Sequence, residues 1–368
     1  MPRRHDDAAS CSATVGAVPR QPVRSVAVVG GGVAGLAVAA ALGDHTRVVV
    51  HEAQPERATT GWPLVLGPWA RPALHALGIL EPVVRAGAPV GPGRLFALDG
   101  RPLTRAHDAH LLAVPRPALL AALSAAASSR GVRVVDGEVT DPSTLDADLV
   151  LGADGVRSRV RALVDPRAGE RVATPWVALR GRLAAAPPRR DVGEYWGPGL
   201  LAGLVPAPGG GYWFTTHRSD LGPEPLAVGP VLAQARAVGR DAAPAIRALL
   251  GEEAVLDHAT ATRLWLAPPL RHYVRGRYVL LGDAAHAMTP NLGRGAGEAL
   301  VDAASLAAHV VRGRPLWEWQ ARRLPATRMA RTASSLVMRA ATAEHGAGLR
   351  DGVLRLSLGG AAPRGGRR

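Results

Sequence analysis

Gly30-x-Gly32-x-x-Gly35 stands between an apolar run, Ser25 to Val29, and an Ala-rich run, Val33 to Leu42. That order narrows the fold more than any other feature of the chain. Gly30 allows a tight turn after a buried parallel strand. Gly32 leaves room for a pyrophosphate against the backbone, and Gly35 lets a helix pack close to the strand. The helix would begin at Val33 and Ala34, where free N–H groups can meet an anion. A second apolar strand, Arg47 to His51, ends in Glu52. A carboxylate there can accept from both hydroxyls of a ribose and would repel a 2′-phosphate. A βαβ dinucleotide-binding unit is therefore predicted. Val26 to Gly43 is uncharged and long enough to suggest a membrane span. Gly30, Gly31, Gly32 and Gly35 break it into strand, turn and helix instead.

Two later segments repeat the pattern of a strand ending in an acid. Leu149-Val-Leu-Gly-Ala leads into Asp154-Gly155, with Ser158 and Arg161 following on a short helix. Tyr278-Val-Leu-Leu leads into Gly282-Asp283, then through His286 and Pro290 to Gly293-Arg294-Gly295-Ala296 and a long helical stretch to Val311. Asp283 can accept from a ribityl hydroxyl or cap a helix. Gly293 and Gly295 let the loop approach a flat ring, and the helix behind them aims its positive end at that ring. Between these segments, from Pro175 to Thr216, short runs rich in Trp, Tyr, Val and Leu alternate with Pro and Gly, as in an antiparallel sheet.

The predicted fold is α/β: a Rossmann-type FAD-binding domain with an inserted antiparallel-sheet substrate domain and C-terminal helices. The domain reading is a disordered tail over 1–24, a discontinuous FAD-binding domain over 25–170 and 260–312, a substrate sheet over 171–259, C-terminal helices over 313–358 and a second tail over 359–368. Pro230 to Leu250 reads as one helix.

In this order and spacing the three motifs resemble those of FAD-dependent monooxygenases of the para-hydroxybenzoate hydroxylase-like superfamily, from about Ser25 to Leu356. Arg116, in Val-Pro-Arg-Pro, matches that family's helix-borne Arg near the flavin. Glu194-Tyr-Trp-Gly and Tyr212-Trp-Phe resemble its substrate-sheet strands. The resemblance implies bound FAD, NADPH or NADH as reductant, and a small, aromatic substrate hydroxylated or epoxidised by O₂ through a flavin C4a-hydroperoxide. The FAD would be held by Gly30, Gly32, Val33, Ala34, Gly35, Glu52, Arg116, Asp154, Gly155, Gly282, Asp283, Pro290, Gly293, Arg294, Gly295 and Ala296. Three departures stand out. Arg294 replaces a Gln, Val301-Asp302 replaces an acidic pair, and the segment from Val132 to Asp148 is short by about one strand hairpin. Two other readings stay open: a flavoprotein that does not activate O₂, of the prenyl reductase or cyclase type, and a non-catalytic FAD-binding protein.

The cofactor carries the chemistry in such enzymes, so no acid–base residue is required. Arg180 and Pro290 are the catalytic candidates. Strand alternation puts Trp176, Ala178 and Arg180 on one face, and Trp196, Trp213 and His217 on neighbouring runs complete the substrate candidates. Each tryptophan has a core alternative, and Arg180, inside an apolar strand, needs an anionic partner if buried. His286 could be structural or catalytic, and Arg294 could point at the flavin or away from it.

Composition excludes several alternatives. None of the 368 residues is Lys, so P-loop, Schiff-base and Lys-dependent halogenase chemistry are out. The formal charge of +14 is spread over scattered Arg residues, without the basic helix or aromatic-basic strand of a nucleic-acid binder. A single Cys, Cys11, permits no intrachain disulfide or Cys-based metal site and fits a cytoplasmic protein. The Ala, Arg and Pro bias suggests a GC-rich bacterium and, with it, secondary metabolism. Oligomeric state is not legible.

Overall fold

The computed structural model describes residues 22–59, 61–222, 224–251 and 259–358. Cys11 and the expected tails, apart from residues 22–24 of the first, lie outside the described residues. In chain order the elements are β1 (Ser25–Val29), α1 (Val33–Leu42), β2 (Arg47–Glu52), β3 (Leu64–Leu66), α2 (Arg71–Ala76), α3 (Leu80–Ala86), β4 (Ala88–Pro89), β5 (Arg94–Ala97), β6 (Leu112–Val114) and α4 (Arg116–Ser128). Then follow β7 (Arg133–Asp136), β8 (Leu149–Gly152), α5 (Val160–Val164), β9 (Val172–Leu183), β10 (Gly193–Gly197), β11 (Leu200–Ala207) and β12 (Gly210–Arg218). The chain continues through α6 (Val228–Val238), α7 (Pro244–Gly251), β13 (Thr260–Leu266), β14 (Val274–Arg275), β15 (Tyr278–Leu280), α8 (Asp283–His286), α9 (Gly295–Val311), α10 (Leu316–Ala341) and α11 (Ala347–Ser357).

The first sheet has the order β14-β15-β8-β1-β2-β7, and all its pairs are parallel except β14 with β15. Its three acid-ended strands, β2, β8 and β15, therefore finish along one edge beside β1. This is where an open parallel sheet binds its ligand. The glycines explain how α1 gets so close. A Cβ on Gly35 would lie 1.8 Å from the Gly30 carbonyl oxygen, and Gly30 itself has φ +102 with Ala153 packed against it. Helix α1 is buried nearly all round, between α4 and α9, which explains its uniformly apolar sequence.

The second sheet has the order β13-β9-β12-β11-β10-β5. Two of its strands come from segments assigned in sequence to the other domain. β5 pairs parallel to β10, and β13 pairs antiparallel to β9. The boundary predicted at residue 260 thus falls at the start of a sheet strand rather than between domains. Thr, Leu and Trp in β13 suit a strand, and only pairing with β9 shows which sheet takes it. A third, three-stranded sheet, β3-β6-β4, was not anticipated. No strand lies between β7 and β8 among the described residues, in keeping with the short segment noted there. The helix expected over Pro230 to Leu250 is two helices. It breaks at Gly239, and Pro244 restarts it. No helix of the described residues is long and apolar enough to cross a membrane.

Register decides what each face of the second sheet does. Ala178 opposes Thr216, Arg180 opposes Phe214, and Val177 opposes His217. Directly opposed residues of an antiparallel pair share a face. One face therefore carries Val177, Leu179, Tyr195, Leu204 and Trp213 and packs under α6 and α7. The other carries Trp176, Ala178, Arg180, Glu194, Trp196, Tyr212 and Phe214 and turns toward the first domain and the C-terminal helices.

Candidate active site

The motif residues meet at one crevice. Gly32 begins α1 with nothing within 4 Å of where a Cβ would be, and Gly295 begins α9 in the same way. Both positions thus leave open space in front of a helix N-terminus. Gly282 (φ +55) packs against Ala34 and Ala299, which ties the third motif to the first. Gly293 (φ +59) lies beside Val65 of β3 and turns the chain from the Pro290–Leu292 turn into α9, with Arg294 and Ala296 at its start. Glu52 accepts the Gly31 N–H at 2.5 Å and the Gln54 N–H at 2.7 Å, so its carboxylate is held across the glycine turn.

Arg116 starts α4 and donates to the Arg57 carbonyl at 2.9 Å. Burial and the neighbouring Arg57 lower its pKa, while Glu52 and Asp283 both act to raise it. Asp283 opens α8 without capping it. Its carboxylate accepts no hydrogen bond among the described residues. It opens to the crevice, but the surrounding walls raise its pKa by desolvation against the pull of His286, Arg161 and Arg116. Asp154 is turned partly inward to its own chain. One oxygen takes the Arg159 N–H at 2.7 Å, while the other is buried and unpartnered. Gly155 follows with φ +71, and its carbonyl faces Arg161. Arg161, almost wholly buried, bonds the carbonyls of Ala284 at 2.9 Å and Val156 at 3.0 Å and so locks the second motif to the third.

These residues fit an FAD. Two helix N-termini face open space, Glu52 stands at the end of β2, and the Asp283 carboxylate accepts no hydrogen bond among the described residues. Bound there, FAD would supply electron storage and oxygen activation. The chain's own part is to hold it, exclude water and present a substrate.

Arg294 settles into neither of the two orientations considered. Its guanidinium bonds Glu298 Oε1 at 2.9 and 2.5 Å and lies 4.9 Å over the Trp69 ring. Behind it runs a buried chain of alternating charge. Glu298 Oε2 accepts Arg323 at 2.6 Å, Arg323 reaches Asp302 Oδ1 at 2.7 Å, and Asp302 Oδ2 meets His286 Nε2 at 2.6 Å and the Gly282 N–H at 3.0 Å. His286 is thus a structural partner. Burial alone would lower its pKa, and Asp302 more than offsets this and raises it. Sequence reading missed the chain, although Arg294, Glu298 and Asp302 recur every four residues along one helix face.

Two substrate candidates need correction. Trp213 and His217 lie on the face covered by α6 and α7, away from the crevice. Trp213 is 1 % exposed and fills the space over Gly181. His217 is fully buried, and desolvation lowers its pKa to about 4. They were grouped with Trp176 because alternation sorts residues within a strand but not between strands. A one-residue offset in register exchanges the faces. Trp176 and Trp196 are on the inner face but lie under Met338 and Ala341 of α10. A cleft of about 280 Å³ beside Trp176 is lined by Arg218, Arg339 and residues 342–345, and Arg180 is not part of its lining.

Arg180 does face the inter-domain space. Its closest partner is Thr262 Oγ1 at 3.4 Å, and no ion pair reaches it among the described residues. Burial lowers its pKa, with Tyr212 acting the other way. Three further residues line this region; Tyr212 and Phe214 stand out in the sequence only as parts of a strand resembling the family's substrate sheet, and Trp62 has no sequence signal. Tyr212 packs on Ala113 and Val65 beside the Gly293 turn, Phe214 neighbours it, and Trp62 reaches across to donate to Thr260 Oγ1 at 2.7 Å.

Fold and crevice define a class, and the comparisons name it. The chain belongs to the FAD-dependent aromatic monooxygenases of the para-hydroxybenzoate hydroxylase-like superfamily. Residues 232–314 match the FAD binding domain family. The chain is 33 % identical over 314 residues to 2-heptyl-3-hydroxy-4(1H)-quinolone synthase of Pseudomonas aeruginosa, which covers 77 % of this chain and 80 % of that protein. It is 34 % identical to 3-amino-4-hydroxybenzoate 2-monooxygenase of Streptomyces cremeus, over 76 % of this chain and 77 % of the other. In structure it is similar to Klebsiella pneumoniae HpxO complexed with FAD and uric acid, with a TM-score of 0.78 at 21 % identity over 90 % of this chain and 93 % of that one.

Proposed function

We propose that this FAD-dependent monooxygenase is a cytoplasmic enzyme that uses NADPH or NADH and O₂ to hydroxylate a small, flat aromatic molecule. On this reading the substrate sits between the Gly293–Gly295 loop and the inner face of the second sheet. The observation that carries it is the pairing of a crevice bordered by two open helix N-termini and the acids Glu52 and Asp283 with a sheet face that is walled by Tyr212 and Phe214 and bears Arg180, which no ion pair reaches among the described residues. The relatives support the substrate class, because the names of three of them specify a quinolone, an aminohydroxybenzoate or salicylate.

In this reading Glu52 receives the adenosine ribose, Gly32 and the N-terminus of α1 receive the pyrophosphate, and Asp283 receives the ribityl chain. Gly293 and Gly295 bring backbone to the ring edge, and Arg116 balances Glu52 and Asp283. Trp62 and the sheet exclude water from the space between. Pro290 shapes the loop without touching a proton. Anaerobic mixing of the yellow holoprotein with NADH or NADPH, with and without salicylate or 4-hydroxyquinoline, tests the proposal. Bleaching of the flavin that an aromatic accelerates, followed in air by a product one oxygen heavier, is the expected result. Bleaching with no oxygenated product in a broad aromatic screen would favour the reductase or cyclase reading.

A further inference from the structure

We propose that Glu194 selects the substrate: its free carboxylate oxygen accepts the hydrogen bond of a phenolic O–H or of a heteroaromatic ring N–H. This rests on reading the inner sheet face as the substrate site.

Register places Glu194 in a row that crosses the sheet: Leu95, Glu194, Gly203, Phe214, Arg180 and Thr260. The Phe214 ring lies over Gly203, where a Cβ would come within 2.3 Å of it. A flat aromatic surface therefore separates the acid from the Arg, and no ion pair joins them among the described residues. Each charge is left without a counterion on the same wall. Trp196 Nε1 donates to Glu194 Oε2 at 2.9 Å, and the other oxygen accepts nothing among the described residues. Trp196 is itself fixed, packed against Met338 and Ala341, with its carbonyl accepting from Arg350 at 3.3 Å. The carboxylate thus has a held position and one lone acceptor.

Protein surrounds the Glu194 side chain closely, yet it keeps some accessible surface, so it borders internal space rather than core. Desolvation pushes its pKa up to about 7, against the Trp196 hydrogen bond. A carboxylate enclosed with a single hydrogen bond is costly unless a ligand supplies more. Tyr212, on the same face, senses both Glu194 and Arg180. A ligand carrying a donor at one end and a carbonyl or carboxylate at the other would satisfy both charges while lying on Phe214.

The test measures binding to the FAD-loaded protein by calorimetric titration at pH 8, where Glu194 is ionised, using matched ligand pairs: 4-hydroxyquinoline with N-methyl-4-quinolone, and 4-hydroxybenzoate with 4-methoxybenzoate. The donor member should bind the native protein about 10-fold tighter, as a hydrogen bond to a charged group implies. Glu194→Gln keeps a neutral acceptor and should retain part of that preference. Glu194→Met should abolish it, while the methylated members bind all three proteins alike. A preference that survives Glu194→Met overturns the proposal, as does a native protein that shows none. FAD content and flavin reduction by NAD(P)H, measured on the native protein, report separately on the monooxygenase reading.

Discussion

The two faces of the second sheet are built from the same residue types and behave as opposites. The face under α6 and α7 carries Trp213, Tyr195 and His217, tightly packed and sealed. The face toward the crevice carries Trp196, Tyr212, Arg180 and Glu194, and no ion pair reaches either charge among the described residues. Burial alone does not separate them, since Trp213 and Trp196 are 1 % and 7 % exposed. What separates them is charge: among the described residues, the sealed face holds a buried neutral His217 whose ring nitrogens have no hydrogen bond, and the inner face holds Arg180 and Glu194 with no ion pair. A sealed face tolerates a titratable group only in its neutral form, whereas a binding face keeps charged groups short of partners until a ligand arrives.

Trp213→Ala should give the largest effect. Emptying a sealed position of that size costs about 3–5 kcal/mol, so chemical denaturation should show a much lower midpoint with an unchanged slope. A loss below about 1 kcal/mol would mean that this face is not the sealed one. Trp196→Phe keeps most of the packing and removes the indole donor to Glu194, so it should disturb ligand binding more than stability.

Acid sensitivity comes next, and the two faces should respond with opposite sign. His217 has its folded pKa lowered from 6.5 to about 4, so the unfolded chain binds the extra proton first. Stability from this group is complete above pH 6.5 and is lost as pH falls toward 4, by on the order of 3 kcal/mol. His217→Leu should flatten that part of the pH–stability curve. Glu194 has its folded pKa raised from 4.5 to about 7. The unfolded chain therefore ionises first, and stability falls as pH rises through that window. Glu194→Gln should then stabilise the ligand-free protein at pH 8, by at most roughly 3 kcal/mol. If Glu194→Gln destabilises it instead, the carboxylate has a partner and the inner face is core.

The smallest effect is expected across the cavity, at Arg294. Its guanidinium is committed to Glu298 and Trp69. Arg294→Gln should therefore leave the flavin midpoint potential nearly unchanged in a spectroelectrochemical titration. A clear fall would show that the cation acts on the ring after all.

These contrasts mark where the sequence stops being informative. The first helix and the long helix from Gly295 to Val311 appear residue for residue as the glycine spacing and apolar runs predict, because local rules govern them. The acid-ended strands were legible for the same reason, since strand, turn and acid are neighbours in the chain. Which tryptophan faces which way depends on the pairing of β9 with β12, a non-local choice that a one-residue shift would reverse. Glu194 and Tyr212 were visible only as parts of resembling motifs. Trp62 sits in a loop with no periodicity, and its partner Thr260 is far away in sequence. The charged chain from Arg294 to His286 needs α10 packed on α9 before Arg323 can join it.

If this crevice holds FAD and puts oxygen on an aromatic ring, the oxygen in the product must come from O₂. The direct measurement is turnover of the purified holoprotein under ¹⁸O₂ with NADPH or NADH and an aromatic substrate that stimulates reductant oxidation, with the product read by mass. One ¹⁸O atom is expected in the product for each molecule oxygenated, and none when the label is in water. Label arriving from water, or reductant oxidation that yields only hydrogen peroxide with every aromatic that binds, would contradict that chemistry.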